Sequence, residues 1–305
     1  MTKKEEILRV LAPSLRPLFC RYPADLGQVE EIRLRAGQPL MTTEQGNSVL
    51  VSIENQEHVV TVEEVQETMN LLSRYSRYAY EDKIRQGFLT IQGGHRVGLA
   101  GRVVMDLQEG RGQLLGVKTI SPVTFLNIRI ARQILGCGEP ILPWIRGKDT
   151  LLVSPPGVGK TTLLRDLIRL LSREGWTIGV VDERSELAAC DQGIPQNDLG
   201  PRTDVLDGCP KALGMMMLMR SMAPQIIAVD EIGEERDGEA LAYAMHCGCN
   251  VLATAHAGSW QELKQRPMLS RWWQEGRFER YVFLSKDPNH RYEIWDKQGE
   301  RIWQG

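Results

Sequence analysis

Two patterns of apolar and polar residues divide the chain into parts of different character. Up to about residue 134, stretches such as Val29–Arg35 alternate apolar and polar side chains, as half-exposed strands do. From Thr150 onward, short apolar runs alternate with helical segments, which is typical of strands buried in a parallel sheet. The change predicts an α+β domain over residues 1–134, a linker over residues 135–147 and an α/β domain over residues 148–305.

The first domain is predicted to combine short strands with three helices. Helical spacing of apolar residues predicts a helix over Glu5–Leu18, and Thr61-Val62-Glu63-Glu64 has the capping-box pattern that starts a helix ending near Ser73. A third helix is expected over Tyr80–Gln86, and Gly93-Gly94 predicts a hairpin turn. Strands are predicted at Val29–Arg35, Ser48–Ile53, Phe88–Gln92, Arg96–Val104, Leu115–Ile120 and Phe125–Ile130.

Several arginines lie on or beside the predicted strands of the first domain. Either they cover solvated strand faces, or some of them face a phosphate group or a neighbouring subunit. The residues are Arg33, Arg35, Arg96, Arg102, Arg129 and Arg132.

The second domain is predicted to be a parallel sheet with helices on both faces. A helix is expected over Lys160–Ser172, an apolar helix between Lys211 and Met222, and a closing hairpin over Arg291–Trp303. The tryptophans near the C-terminus are expected to pack in the core. Strands are predicted at Thr150–Val153, Thr177–Val181, Ile226–Val229, Val251–Thr254 and Tyr281–Leu284.

A glycine- and proline-rich loop joins the first of these strands to its helix. It reads Ser154-Pro155-Pro156-Gly157-Val158-Gly159-Lys160-Thr161-Thr162, the pattern of a phosphate-binding (Walker A) loop with Ser154 where the first glycine usually stands. Backbone N–H groups would bind phosphate oxygens of ATP. Lys160 would reach the β- and γ-phosphates and Thr161 would bind Mg²⁺. The alternative is a glycine-rich turn that contains Lys-Thr by chance.

Polar side chains follow two later strands of the predicted sheet. Asp230 and Glu231 end the strand Ile226–Val229, as in a Walker B motif, and the carboxyl ends of parallel strands meet at the edge where ligands bind. Asp230 would hold Mg²⁺ through water, and Glu231 would orient and deprotonate the attacking water. Thr254 or His256 would sense the γ-phosphate, unless His256 is a hydrogen-bonded structural residue.

Further charged residues are candidates with open roles. Asp182 and Glu183 could assist the metal or the water, and Arg184 could bind phosphate or form an ion-pair cluster with them. Arg202 and Arg220 are candidates for neutralising charge in the transition state, in the same chain or from a neighbouring subunit.

Composition narrows the class of protein. The net charge of −2 and the lack of a basic run give no expectation of nucleic-acid binding. The chain lacks an apolar run of about 18 residues and a signal-peptide pattern, so a cytoplasmic protein without a membrane span is expected. The six scattered cysteines predict neither disulfides nor a metal site.

Taken together, the motifs resemble the stage III sporulation protein AA family, which is itself similar to type II and type IV secretion and pilus ATPases. The resemblance covers nearly the whole chain. It rests on the phosphate loop together with Glu31–Arg35, Gly93–Arg102, Val181–Glu186 and Ala253–His256.

The resemblance implies a RecA-like P-loop ATPase domain behind a smaller α+β domain, assembled as a hexameric ring. It implies a protein of the mother-cell cytoplasm, peripheral to the membrane, that energises a channel between mother cell and forespore through membrane-embedded subunits. The family match assigns Lys160, Thr161, Asp230-Glu231 and His256 to the site, the acidic box to Asp182–Glu186, and a nucleotide-reaching arginine to Arg129. Gly233 departs from the Arg that secretion ATPases usually have there.

Three functions follow as hypotheses. The first is an oligomeric Mg²⁺-dependent ATPase of a secretion-like complex. The second is a RecA-like ATPase acting on nucleic acid, which stimulation of hydrolysis by single strands would reveal. The third is a scaffold that binds ATP with little turnover, which Glu231 argues against and Ser154 leaves open.

Overall fold

The chain forms two compact units, Met1–Arg132 and Gln133–Gly305. This computed structural model describes residues 2–21, 26–53, 56–107, 114–287 and 291–305. One continuous apolar core fills the first unit, and two cores cover the two faces of the main sheet in the second. Each unit therefore has its own hydrophobic interior, as independently folding domains do.

The first unit is built on an antiparallel sheet of six strands with the order β3-β2-β1-β8-β7-β6. These strands are β1 (Val29–Arg35), β2 (Met41–Glu44), β3 (Asn47–Leu50), β6 (Phe88–Ile91), β7 (His95–Leu107) and β8 (Leu114–Arg129). A small pair is formed by β4 (Ser52–Ile53) and β5 (Gln56–Glu57), and the helices are α1 (Lys3–Val10), α2 (Val62–Leu72) and α3 (Glu81–Arg85).

The local patterns explain most of this unit. Ile32 and Leu34 of β1 are buried in the core while Arg33 and Arg35, which follow them in turn, are partly exposed, as the alternation predicted. The Thr61 hydroxyl accepts a hydrogen bond from the Glu64 N–H, and the Glu64 carboxylate accepts one from the Thr61 N–H, so the predicted capping box is confirmed. The hairpin at Gly93-Gly94 is confirmed as well.

Three predictions for the first unit are wrong. The single strand expected at Ser48–Ile53 is divided into β3 and β4, which belong to different sheets. The helix expected over Glu5–Leu18 ends at Val10, and a 3₁₀ helix follows at Pro13–Phe19. Pro13 and Pro17 lack the N–H that an α-helix needs, which explains the break. The two strands expected at Leu115–Ile120 and Phe125–Ile130 form one strand, β8.

The second unit contains an eight-stranded sheet with the order β11-β10-β12-β13-β9-β14-β15-β16. Its strands are β9 (Thr150–Ser154), β10 (Ile178–Asp182), β11 (Thr203–Asp207), β12 (Ile226–Val229), β13 (Asn250–His256), β14 (Arg280–Leu284), β15 (Tyr292–Asp296) and β16 (Arg301–Gln304). Its helices are α4 (Leu142–Ile145), α5 (Lys160–Arg173), α6 (Lys211–Ser221), α7 (Glu235–His246), α8 (Trp260–Gln265) and α9 (Pro267–Gln274).

The directions of the strands make the chain a mixed α/β protein. The strands from β11 to β14 pair in parallel, and β15 and β16 extend the sheet antiparallel as the predicted closing hairpin. With the antiparallel sheet of the first unit, the sheets are mixed rather than mostly parallel. The carboxyl ends of β9, β10, β12 and β13 meet at one edge, which we call the phosphate edge.

Tryptophans fill the space beside the closing hairpin. Trp272 is fully buried, and Trp260 stacks on Trp295 with a centroid distance of 5.3 Å. Trp303 contacts Trp144. The prediction that these rings serve packing is confirmed. Within the described ranges, we find no helix with the length and apolar character that crossing a bilayer requires.

Candidate active site

The loop between β9 and α5 has the backbone shape of an anion-binding site. Gly157 and Gly159 have φ angles of 72° and 112°, in the region that favours glycine. No side chain caps the start of α5 at Lys160, so the first N–H groups of this helix have no capping partner. Free N–H groups at a helix N-terminus attract phosphate oxygens.

The Lys160 ammonium is turned back into the loop. Its Nζ donates to the carbonyl oxygens of Ser154 and Pro155 at 3.0 and 3.3 Å and to Nδ1 of His256 at 3.0 Å. Burial lowers the pKa of Lys160, although the negative charges of Asp230 and Glu231 oppose this shift. Lysine carries only donors, so Nδ1 of His256 must accept, and the proton of this imidazole lies on Nε2.

Ser154 fits the position usually taken by glycine. It is fully buried, its φ lies outside the left-handed region, and its hydroxyl accepts a hydrogen bond from Lys160 Nζ at 3.3 Å. A side chain here therefore causes no backbone strain. Pro155 and Pro156 are exposed, Val158 and Thr162 are half-buried, and none of them makes a polar side-chain contact with the carboxylates of the site.

Thr161 and Asp230 form the oxygen pair that could hold a metal ion. The Thr161 hydroxyl donates to Asp230 Oδ2 at 2.7 Å, and the Thr254 hydroxyl donates to the other carboxylate oxygen. Neighbouring ligands of octahedral Mg²⁺ lie roughly 3 Å apart, so this pair fits the ion. Among the residues described, no group of three or more His, Cys, Asp or Glu side chains is arranged to hold a metal ion.

Glu231 is held at both carboxylate oxygens. His256 Nε2 donates to Oε1 at 3.0 Å, and Arg184 Nη1 donates to Oε2 at 2.6 Å. Its backbone has φ 51°, and its N–H donates to the Thr254 hydroxyl at 2.8 Å, which fixes this unusual conformation. Burial alone would raise the pKa of Glu231, but the His256 hydrogen bond and the Arg184 charge outweigh it and lower the pKa, so the carboxylate is ionised at neutral pH.

His256 therefore connects two functional side chains. It accepts from Lys160 through Nδ1 and donates to Glu231 through Nε2. A phosphate group that drew Lys160 away would break the first of these bonds. The role of His256 as a sensor of the γ-phosphate stays a prediction.

The acidic residues Asp182 and Glu183 of the segment Asp182–Glu186 have different surroundings. Asp182 is buried, burial raises its pKa, and its carboxylate accepts N–H bonds from Glu186 and Ala188. Glu183 forms an ion pair with Lys211, the first residue of α6. Both line a cleft beside Glu231 whose volume of about 20 Å³ admits about one water molecule.

Two of the candidate arginines lie at the opposite edge of the sheet. The Arg202 carbonyl accepts from Ile178, the first residue of β10. Arg220 lies in the last turn of α6, just before β12 begins. Both residues therefore lie near the amino ends of the parallel strands, whereas the phosphate loop follows the carboxyl end of β9. Arg129 lies exposed at the end of β8 in the first unit.

One supporting residue was missed by the sequence reasoning. Arg165, one turn after Thr161 on α5, donates to the carbonyl oxygens of Glu186 and Leu187 at 2.6 and 2.9 Å. These hydrogen bonds connect α5, which follows the phosphate loop, to the segment that contains Arg184. Its partners are backbone carbonyls, which leave no trace in the sequence.

Comparison with known proteins places the chain. The family model described as "Sporulation stage III, protein AA" matches residues 1–302. The chain belongs to the stage III sporulation protein AA family. A family member, stage III sporulation protein AA of Bacillus subtilis (strain 168), is 43% identical in an alignment of 305 residues. The alignment covers 96% of this chain and 95% of that protein. The resemblance inferred from the motifs is confirmed.

Solved structures share the fold of this family member. The pilus retraction motor PilT with bound ADP superposes with a TM-score of 0.59 and 16% identity, covering 88% of this chain and 79% of that chain. The ATPase DotB of Legionella pneumophila gives a TM-score of 0.56 and 15% identity, covering 88% and 77%. At such identities the likeness concerns the fold.

Proposed function

We propose that this member of the stage III sporulation protein AA family is a Mg²⁺-dependent ATP hydrolase with a RecA-like core. The observation that carries the proposal is the convergence of Lys160, Thr161, Asp230, Glu231 and His256 at the phosphate edge. These residues come from two strand ends and one helix start. Side-chain hydrogen bonds join Lys160, His256 and Glu231. Another joins Thr161 to Asp230, and the Glu231 N–H donates to Asp230 Oδ1 and so links the two groups. The likeness in fold to PilT and DotB supports it.

In this proposal the chain's own residues bind ATP and direct a water molecule. The α5 N-terminus and Lys160 hold the β- and γ-phosphates, and Thr161 and Asp230 hold Mg²⁺, which neutralises phosphate charge. Glu231 accepts a proton from the water molecule while the oxygen of that water forms a bond to the γ-phosphorus. The bond from that phosphorus to the oxygen of ADP breaks, and the products are ADP and inorganic phosphate.

We further propose that the protein works as a hexameric ring that energises a membrane channel through membrane-embedded subunits during sporulation. The family membership and the fold shared with a pilus retraction motor support this role. A ring would also allow Arg129, Arg202 or Arg220 to act on the site of a neighbouring subunit.

Steady-state ATP hydrolysis against protein concentration tests the proposal. We expect a rate per subunit that rises with concentration and falls at least about 10²-fold in Lys160→Ala and in Glu231→Gln. Glu231→Gln should still bind nucleotide, because it keeps the shape of the side chain. A wild-type rate equal to that of Glu231→Gln, with ATP bound by both, would favour the nucleotide-gated scaffold instead.

A further inference from the structure

Arg184 is the arginine that contacts the proposed water-activating carboxylate. Its Nη1 lies 2.6 Å from Glu231 Oε2, while Arg202 and Arg220 lie at the opposite edge of the sheet. Arg165 is also close, but its Nε and Nη2 donate to carbonyl oxygens. A guanidinium of this chain is thus already present at the phosphate edge.

The backbone around Arg184 is firmly held. Asp182 accepts two N–H bonds from the same segment, and the Ser185 hydroxyl, itself buried, bonds to Asp207. Glu183 on the other side is paired with Lys211. The side chain of Arg184, by contrast, is 63% exposed. Because the backbone is held and the side chain is exposed, the Arg184 guanidinium can change its partner without a movement of the backbone.

We propose that Arg184 is a catalytic residue acting in cis: it holds Glu231 when the site is empty and binds the γ-phosphate when ATP is present. This inference rests on the proposed ATPase function. The γ-phosphate carries more charge than a carboxylate and accepts two parallel N–H bonds from a guanidinium, so it competes well for Arg184.

The exchange of partners also completes the geometry for hydrolysis. In this structure both oxygens of Glu231 accept hydrogen bonds, one from His256 and one from Arg184. When Arg184 moves to the phosphate, Oε2 becomes available to the water that attacks. The positive charge then stands where negative charge develops during phosphoryl transfer.

The first experiment separates binding from transition-state stabilisation. Wild type, Arg184→Gln and Arg184→Lys are compared for affinity to fluorescent ADP and to ADP with tetrafluoroaluminate, a mimic of the transferring phosphoryl group. We expect ADP affinity to change less than about threefold. Affinity for the analogue and kcat should fall roughly 10²-fold or more in Arg184→Gln and by less in Arg184→Lys.

Arg236→Gln is the matched control, since Arg236 on α7 is an exposed arginine paired with Glu234, the N-cap residue of that helix. It should leave the analogue affinity unchanged. If Arg184→Gln also leaves the analogue affinity and kcat within about threefold of wild type, the inference is overturned while the ATPase function stands. If the wild type neither hydrolyses ATP nor binds the analogue, the proposed function fails and the inference falls with it.

The second experiment asks whether Arg184 acts only by positioning Glu231. The double variant Arg184→Gln, Glu231→Gln is compared with each single variant for analogue affinity. A direct contact with phosphate predicts that the double variant binds the analogue more weakly than Glu231→Gln alone. Equal affinities of these two variants would show that Arg184 acts through Glu231 and would overturn the phosphate contact.

Discussion

At the residue scale, the shape of the phosphate loop depends on two glycines. Gly157 and Gly159 have positive φ angles, and a Cβ built on either of them meets no atom within 4 Å. The requirement for glycine is therefore one of backbone conformation and of room for a ligand, because no neighbouring atom would clash. Ser154, in the same loop, does not need to be glycine, since its φ lies outside the left-handed region and allows a side chain.

Replacing one of these glycines tests that requirement. Gly159→Ala should cost at least about 1 kcal/mol in the free energy of unfolding of the second unit. It should also weaken binding of fluorescent ADP at least about tenfold, because the loop N–H groups would no longer point toward the phosphate oxygens. Gly233→Ala is the matched control: it too has open space around its Cβ, but its φ is not positive. Equal effects of the two changes would contradict the argument.

The residues of the site were more predictable than the contacts between them. Lys160, Thr161, Asp230 and Glu231 follow recognisable patterns, and the structure brings their side chains together. The bond from Arg184 to Glu231 joins residues 47 positions apart, and the sequence left it open between phosphate and ion pair. Which of several charged neighbours are paired depends on side-chain directions that only the folded sheet defines.

At the element scale, local signals predicted the beginning of elements better than their extent. The capping box at Thr61 correctly predicted the start of α2. The helical spacing of apolar residues continues to Leu18, but α1 ends at Val10 because Pro13 and Pro17 follow. The strand β11 was not predicted. It lies at the sheet edge, is only half-buried, and carries Asp204 and Asp207, so its pattern resembles a loop.

The capping box offers a test at this scale. Thr61→Ala removes the hydroxyl that accepts from the Glu64 N–H, and we expect the first unit to lose about 1 kcal/mol of unfolding free energy. Thr61→Ser keeps the oxygen and should restore most of the loss. Urea unfolding followed by circular dichroism measures both. A serine variant as unstable as the alanine variant would show that packing of the threonine methyl matters instead.

At the scale of the whole molecule, the two units have separate sheets and separate cores. The predicted linker over residues 135–147 remains a prediction, and the division that the structure gives lies between Arg132 and Gln133. This arrangement has a consequence for fragments. A piece that keeps a complete sheet should fold, and one that divides a sheet should not.

Fragments of the second unit test this expectation. Residues 133–305 should unfold cooperatively on heating and retain ADP binding, as followed by circular dichroism and fluorescent ADP. Residues 133–249 lack β13 and β14, the two strands that flank β9, and should show neither property. Similar melting curves for the two fragments would mean that the sheet is not the unit of stability.

The position of β9 also bears on synthesis at the ribosome. This fully buried strand is made first among those of its sheet, yet both of its neighbours, β13 and β14, are made only after β10, β11 and β12. The Val251 N–H, for example, bonds to Asp149, 102 residues earlier. Pairing over such separations is slow and leaves apolar surface exposed. The nascent chain therefore carries an uncovered apolar strand beside its phosphate loop until β13 and β14 have been made, and during that interval the strand is a target for a chaperone.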